Sequence, residues 1–358
     1  MFAWLFWPHV GGVEKHVEKV GRVLVRRGHE VKVFTVTHDR NLPEREERDG
    51  IEVLRFQKRN LDDWERRRIM WWLFRRFDLF RWAQVIHCHD FMTFHYWYLP
   101  FRYLYFRKPV YITFHGYEGY PLSSRIIRIR RFDNRMAWGS LAIGDFIVRW
   151  YGTHHDFISY GGVDVPPRDP GEPEMDAALF VGHLREDTSI LVYLDALQEL
   201  RATYGIDLPL EVCGDGPLRR EVERRIERDG LNVTMHGTVY DTTPYLLRCR
   251  YAFVSSYLAI LEAMVYRQAV FSVYGNPLKR DYLCLIPHAE RMLSISSGPS
   301  GIAREVAALM ADRTKLAERL DAAYHFARAH SWEQMADLYL SLYRRRGGKE
   351  RSWLGGSH

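Results

Sequence analysis

Short β-branched or aromatic runs alternate along almost the whole chain with stretches whose apolar residues recur every three or four positions. This is the βαβ pattern of parallel sheets covered by helices on both faces. Segments 2–6, 30–36, 51–56, 84–89, 110–114, 140–143 and 157–160 read as a first series of strands. After the first of them Val13, Val17, Val20 and Leu24 share one helical face before Gly28 ends it. Residues 166–173 (PPRDPGEP) hold four prolines in eight positions and nothing suited to a core, so 166–175 reads as a linker. A second series follows at 178–182, 210–213, 233–236, 252–255, 270–274 and 292–295. The expectation is an α/β protein of two doubly wound, Rossmann-like domains, 1–165 and 176–328. A last helix at 329–346 carries Met335, Leu338, Tyr339 and Leu342 on one face, and a tail at 347–358 ends in a tag-like GGSH.

Composition narrows the class. Of 358 residues 47% are apolar and 27% charged, a balance suited to a folded soluble chain. The longest apolar run, at 1–7, is seven residues, far short of the roughly 18 that a spanning helix needs. Nor does a basic n-region with a long apolar stretch follow Met1, so a cytoplasmic protein is expected. Cys88, Cys213, Cys249 and Cys284 are scattered without a C-x-x-C pair and read as reduced, structural thiols. The first 165 residues hold 27 basic against 19 acidic side chains, net +8, while the remainder is −2. The positive field belongs to the first half.

Candidate chemistry gathers at the ends of the strands, where open parallel sheets bind ligands. Gly11 and Gly12 lie between the first strand and its helix, a turn that lets backbone N–H groups approach an anion. His87, His89 and His115 fall at carboxyl ends of strands in the first half. Alternation puts His87 and His89 on one strand face, but no third metal ligand is evident, so no metal is expected. In the second half the segments at His183, Gly214 and Gly216, His236, and Ser255 and Ser256 all follow strands. Ser255 or Ser256 can cap the helix bearing Glu262, leaving N–H groups aimed at a phosphate. Glu262 lies among apolar residues and would take a ligand hydroxyl as partner.

In this order the segments GGVEKH, RRGHEVKV, VIHCHD, TFHG, YGGVD, FVGHL, GDGPL and LEAM resemble the family 4 glycosyltransferases of the two-domain GT-B architecture, over nearly the whole chain. The resemblance implies two Rossmann-like domains facing across a cleft, with a nucleotide-sugar donor held mainly by the second and an acceptor by the first. It further implies retention of configuration, no metal, and a hexosyltransferase-like activity on a UDP-, GDP- or ADP-sugar. Carried over, Gly11 and Gly12 would line the donor phosphates, His115 would face the transferred sugar, and Glu262 would hold the ribose. Gly214 and Gly216, with Val239 and Tyr240, would flank the base. Asp145 is a second catalytic candidate, and His89, Arg125 and Arg128 belong to the acceptor side. Two departures stand out. His183 and Thr188 occupy positions where the family carries an arginine and a lysine, and about six residues before Glu262 are missing together with the first glutamate of an E-x7-E element. Lys279 and Arg280, after the next strand, are the candidate substitutes. The alternative is a catalytically degenerate member that binds nucleotide or glycan as a partner subunit.

Basic and aromatic residues interleave at 64–82 (WERRRIMWWLFRRFDLFRW), with Ile69, Trp72, Leu73 and Arg76 near one face and Arg66, Arg67 and Arg68 on the approach. Arg125, Arg128, Arg130, Arg131 and Arg135 add to the charge. A core-packed helix with snorkelling arginines is one expectation. An anionic membrane surface is the other, which would make the protein peripheral at the inner membrane face and suit a lipid-linked acceptor; glycan and small-molecule acceptors fit as well. Nucleic acid is not expected, because no recognition motif accompanies the charge.

Overall fold

The computed structural model describes residues 1–57 and 63–347, with side chains described outside 63–66 and 345–347. The tail expected at 347–358 lies outside them apart from Gly347, and so does the side chain of Arg66. The chain divides into two compact units: Met1–Gly161 with the segment from Trp332, and Gly162–Ser331.

The first unit runs α1 (Gly12–Arg26), β1 (Val31–Val36), β2 (Arg45–Arg48), β3 (Ile51–Phe56), α2 (Asp63–Phe74), α3 (Phe77–Trp82) and β4 (Ile86–His89). It continues through α4 (Phe91–Thr93), a π-helical turn, α5 (Leu99–Leu104), β5 (Val110–Phe114), α6 (Ser124–Met136), β6 (Gly139–Ile143), α7 (Asp145–Tyr151) and β7 (Phe157–Ser159). Two sheets form, β1-β3-β2 and the all-parallel β4-β5-β6-β7. The first strand is shorter than expected: Phe2 bridges Phe34 and Cys88 in parallel and joins the two sheets, and the pairing fades with Ala3 N–H to Phe34 O at 3.0 Å and Val36 N–H to Trp4 O at 3.4 Å. Beyond it Trp4 leaves to stack on Trp97 at 5.0 Å, and the chain turns where His9 N–H meets the Phe6 carbonyl. Strand β2 is antiparallel to β3 and made of four charged residues, so no apolar alternation marks it. It sits at an edge, where charge is the usual protection.

The second unit runs β8 (Met175–Val181), α8 (Ile190–Tyr204), β9 (Leu210–Cys213), α9 (Arg219–Asp229), β10 (Val233–Gly237), α10 (Thr243–Arg248), β11 (Cys249–Phe253) and α11 (Tyr257–Val265). Then come β12 (Ala269–Val273), α12 (Pro277–Cys284), α13 (Ala289–Met292), β13 (Leu293–Ser296), α14 (Pro299–Ala311) and α15 (Arg313–Arg328). Its six strands are parallel in the order β10-β9-β8-β11-β12-β13, so the order reverses between β8 and β11. Phe180, Tyr193, Leu197, Phe253, Phe271 and Val306 fill one face of this sheet. The proline-rich stretch belongs to this unit and is anchored to it: Asp169 is paired with Arg267 at 2.6 Å and Glu172 with Arg250 at 3.3 Å. Composition marks it as a linker, but its carboxylates find fixed cations.

The last helix, α16 (Trp332–Gly347), packs on the first unit. Trp332, Met335, Ala336, Tyr339 and Leu342 are buried, the i, i+3, i+4 stripe of an amphipathic helix. Arg26 and Arg27 of α1 pair with Glu333 and Asp337 along its rim.

Candidate functional site

In the first unit, strands β4 and β5 lie side by side in register, so the residues at their carboxyl ends meet. His89 Nδ1 lies 3.2 Å from His115 Nε2, and both rings are buried. Helix α1 brings a third imidazole, His16, whose ring meets that of His115 edge-on at 4.9 Å. The ligand nitrogens of His16, His89 and His115 all lie within 4.8 Å of one another. His87 and His89 share the strand face as expected, their rings stacked at 5.0 Å. The third imidazole that the sequence does not show comes from a distant helix, while His87 has its nitrogens engaged by other side chains. Its Nδ1 meets the Tyr343 hydroxyl and its Nε2 the Thr113 hydroxyl, each at 2.8 Å. Thr113 in turn meets the Tyr339 hydroxyl at 2.8 Å, and Tyr339 meets His16 Nε2 at 2.9 Å. Burial pushes His16 down to about 3 and holds His87, His89 and His115 well below the ordinary imidazole range. All four are neutral at pH 7. His89, expected on the acceptor side, is buried with its Nδ1 toward His115.

Behind His115 stands a group that sequence reasoning missed. In sequence Arg130 is one of several arginines that add to the charge of the first half, yet it is fully buried. It pairs with Glu118, lies 3.2 Å from Asp90, and donates to the carbonyls of His115 and Gly116 at 3.2 and 3.3 Å. Tyr151 donates to the other oxygen of Glu118 at 2.7 Å, and its ring lies under the guanidinium at 4.3 Å. Burial lifts Asp90 to about 6 against the pull of Arg130. The turn that presents His115 is therefore clamped through its own backbone. Arg125 and Arg128, on the same helix, are exposed. Asp145 opens α7, and its carboxylate accepts from the Tyr160 hydroxyl rather than joining His115. Gly11 is extended and caps α1 by its backbone; a Cβ there would come within 2.2 Å of Glu14 Oε2, so a side chain would displace Glu14 from His9.

In the second unit the strand ends carry their own constraints. A Cβ on Gly214 would fall 1.8 Å from the Gly182 carbonyl oxygen, and one on Gly216 2.6 Å from that of Leu184. These glycines are required by two backbones in close approach, held by Gly182 N–H to Cys213 O and Leu184 N–H to Asp215 O. His183 is exposed, and the Thr188 hydroxyl is occupied by the carbonyls of His183 and Arg185 at 2.7 and 2.8 Å. The Thr188 hydroxyl is thus engaged by its own turn. Tyr240 stands 97% exposed beside half-buried Val239, an aromatic face available to a planar group.

The loop from β11 to α11 is three residues long, 254–256. The capping expectation is corrected. Ser255 is buried, its hydroxyl shared with Tyr193 at 2.7 Å and with the Val273 N–H, and Ser256 makes no side-chain cap. The first N–H of α11, on Tyr257, goes to the Tyr282 hydroxyl at 2.8 Å, and the two rings stack at 3.8 Å. Lys279 comes to this loop from α12: its ammonium donates to the Ser255 carbonyl at 2.5 Å and lies 4.2 Å from the Tyr282 ring. Burial pulls it down to about 8. Arg280 is exposed and faces Asp281 at 3.3 Å instead. Glu262 is half-buried beside Val181, Val254 and Ala259, at the switch between β8 and β11.

Known proteins share this architecture. Residues 10–164 match the sequence model of Glycosyltransferase Family 4, and residues 176–312 match that of Glycosyl transferases group 1. A segment of 102 residues is 34% identical to an uncharacterized glycosyltransferase of Methanocaldococcus jannaschii (MJ1607), spanning 26% of this chain and only a quarter of the relative's own length. Among solved structures, a glycosyltransferase from Rickettsia africae superposes with a TM-score of 0.70 over 97% of this chain and 98% of its own, at 13% identity. Anabaena Alr3699/HepE, in complex with UDP and glucose, gives 0.70 over 95% and 98% at 15% identity. WaaG, a glycosyltransferase involved in lipopolysaccharide biosynthesis, gives 0.64 over 94% and 98% at 15% identity. With both halves matched and the doubly wound sheets in place, the chain belongs to the family 4-like glycosyltransferases of the GT-B fold.

Proposed function

We propose that this chain transfers a sugar from a nucleoside diphosphate donor to a hydroxyl acceptor, with retention and without a metal. The bond between the anomeric carbon and the diphosphate oxygen breaks, the acceptor oxygen bonds to that carbon on the same face, and the acceptor proton passes to the departing diphosphate. The chief demand is to stabilise the charge growing on that diphosphate. The observation that carries the reading is Lys279, a cation brought by α12 to the carbonyl of Ser255 at the head of α11. It supplies the charge that His183 and Thr188 do not. Gly11, Gly12 and the first turn of α11 would add backbone N–H donors, Glu262 would hold the ribose, and Gly214, Gly216, Val239 and Tyr240 would border the base.

His115 is the group proposed to face the sugar. As a neutral imidazole with its backbone held by Arg130 and its Nε2 beside His89, it offers a pre-oriented hydrogen-bonding edge. Metal independence is supported by the direct His89–His115 contact and by the engagement of His16 with Tyr339, which give these nitrogens protein partners. The acceptor is a glycan, a lipid-linked glycan or a small hydroxyl compound. The deciding experiment incubates the protein with UDP-, GDP- and ADP-sugars and follows release of the nucleoside diphosphate, with the product anomer read by NMR. Turnover that persists in EDTA and falls about 100-fold or more in Lys279→Ala supports the reading. Turnover that is abolished by EDTA and restored by Mg2+ or Mn2+ overturns metal independence.

A second reading has its own observation: the Thr188 hydroxyl is spent on backbone carbonyls and the β11–α11 loop is short. A binding subunit would take up nucleotide at Glu262 yet turn over none of the donors, with Lys279→Ala leaving that binding unchanged.

A further inference from the structure

Helix α2 meets the expectation of a core-packed helix on one face only. Ile69 and Leu73 are buried, Trp72 packs on Phe34 at 5.0 Å, and Arg76 lies over Trp72 at 3.7 Å. The opposite face does not follow. Trp71 and Phe74 stand on it, stacked on each other at 5.9 Å, and Phe77, Trp82, Leu104 and Phe106 on the neighbouring elements are exposed as well, all six between 42% and 66%, with the Lys32 ammonium 4.3 Å from the Trp82 ring. The elements that carry them are tied together from below. Buried Phe80 of α3 stacks on Phe101 of α5 at 4.6 Å and on Tyr105 at 5.8 Å, and Lys108 donates to the Ala83 carbonyl next to Trp82. Large apolar side chains left outside on several adjoining elements mark an interaction surface.

Charge decides what kind. From Arg67 to Lys108 the chain holds eight basic and two acidic residues, and one of the acids, Asp90, faces Arg130 inside the unit. Arg75, Arg81 and Arg107 are exposed between the aromatic residues. Tryptophan and arginine side by side suit the headgroup layer, where an indole takes the apolar boundary and a guanidinium takes lipid phosphate. No helix among the described residues is long and apolar enough to cross a membrane. We propose that α2, α3 and the end of α5 form a docking face for an anionic lipid surface, inserting Trp71, Phe74 and Phe106 among headgroups that Arg75, Arg81 and Arg107 neutralise. The proposal does not depend on sugar transfer, since no group of the reactive site takes part.

The test is sedimentation of the full chain with vesicles of phosphatidylcholine containing 30% phosphatidylglycerol, against phosphatidylcholine alone, at about 0.05 and 0.5 M salt. The anionic vesicles should carry the protein down at low salt, with partition at least tenfold weaker at high salt. Arg75→Glu/Arg81→Glu and Trp71→Ser/Phe106→Ser should each weaken partition at least tenfold while circular dichroism and melting temperature stay those of the parent. Lys279→Ala, expected to be inactive, should bind vesicles as the parent does, which separates failure here from failure of the catalytic reading. Three outcomes overturn the proposal: no preference for anionic vesicles, equal binding by both double variants, or binding without salt dependence. A gel shift of RNA or DNA lost in Arg75→Glu/Arg81→Glu, without vesicle binding, would assign the face to nucleic acid. A dimer in ultracentrifugation lost in Trp71→Ser/Phe106→Ser, again without vesicle binding, would assign it to a second copy.

Discussion

Replacing Arg130 by methionine would keep most of its volume but leave the carboxylates of Asp90 and Glu118 without their shared cation. Removing one partner of a buried ion pair costs about 3 to 5 kcal/mol, so a large fall in the urea midpoint is expected. Arg130→Lys keeps the charge but not the fork that reaches two carbonyls and a carboxylate together. It should fold with a smaller loss of stability while turnover falls at least tenfold, because the His115 turn loses its clamp; unchanged turnover would confine Arg130 to a structural role. Glu262→Ala tests the ribose contact in the same way. Loss of charge-assisted hydrogen bonds worth about 1.5 to 3 kcal/mol should weaken nucleoside diphosphate binding roughly tenfold or more in calorimetry. Unchanged affinities for UDP, GDP and ADP would remove that role. Neither Arg130 nor His16 could be singled out by spacing, since an arginine in an arginine-rich helix looks the same in sequence whether it faces water or two buried carboxylates.

Elements meet at a few contacts that tolerate no added atom. The turn after β9 rests on the turn after β8, and a methyl group on Gly214 would lie 1.8 Å from a carbonyl oxygen of the facing backbone, a neighbour that cannot rotate away. Gly214→Ala should therefore lower the melting temperature of the second unit and weaken nucleotide binding with it, whereas Gly275→Ala, with nothing within 4 Å, should leave both near the parent. Calorimetric melting with and without UDP reads both effects. Helix α16 offers a contrasting contact. Its Tyr339 hydroxyl joins Thr113 of β5 to His16 of α1, and Tyr339→Phe would leave buried polar groups short of a partner. The expected cost is about 1 to 3 kcal/mol, measured by urea unfolding. The glycine pattern was legible because close approach leaves a residue-type signature. The capping role given to Ser255 was not, because Tyr193 and Val273, far away in sequence, claim its hydroxyl.

At the scale of the molecule, the buried imidazoles make stability depend on pH. His16 titrates near 3 in the folded chain, and His87, His89 and His115 are also depressed, whereas each titrates near 6.5 when unfolded. Below about pH 6.5 the unfolded chain takes up protons that the folded chain refuses, so stability is full above that value and is lost as the pH falls toward the folded values. Each histidine contributes a slope of about 1.4 kcal/mol per pH unit in that window. Asp90, raised to about 6, and Asp133, also raised, act in the opposite sense at lower pH and offset part of the loss. The melting temperature should fall steeply from pH 6.5 to 5, and His16→Gln should flatten the fall; a flat profile in the parent would show that these rings are hydrated. Most strands and helices, the two-unit division and the family were legible in the sequence, because periodicity and glycine placement are local properties of the chain, whereas the all-charged edge strand β2 carries no such signal. Sequence placed His115 at a strand end, Glu262 on the helix that follows a strand and Lys279 after the next strand for the same reason. Which polar side chains share a buried site was decided only by tertiary structure: α1 brings His16, α6 turns Arg130 inward, Tyr160 takes up Asp145, and carbonyls occupy Thr188. The partners of Thr188 are three and five residues away, but the others lie 15 or more residues apart in sequence, and burial, which sets their charge, exists only once the chain has closed around them.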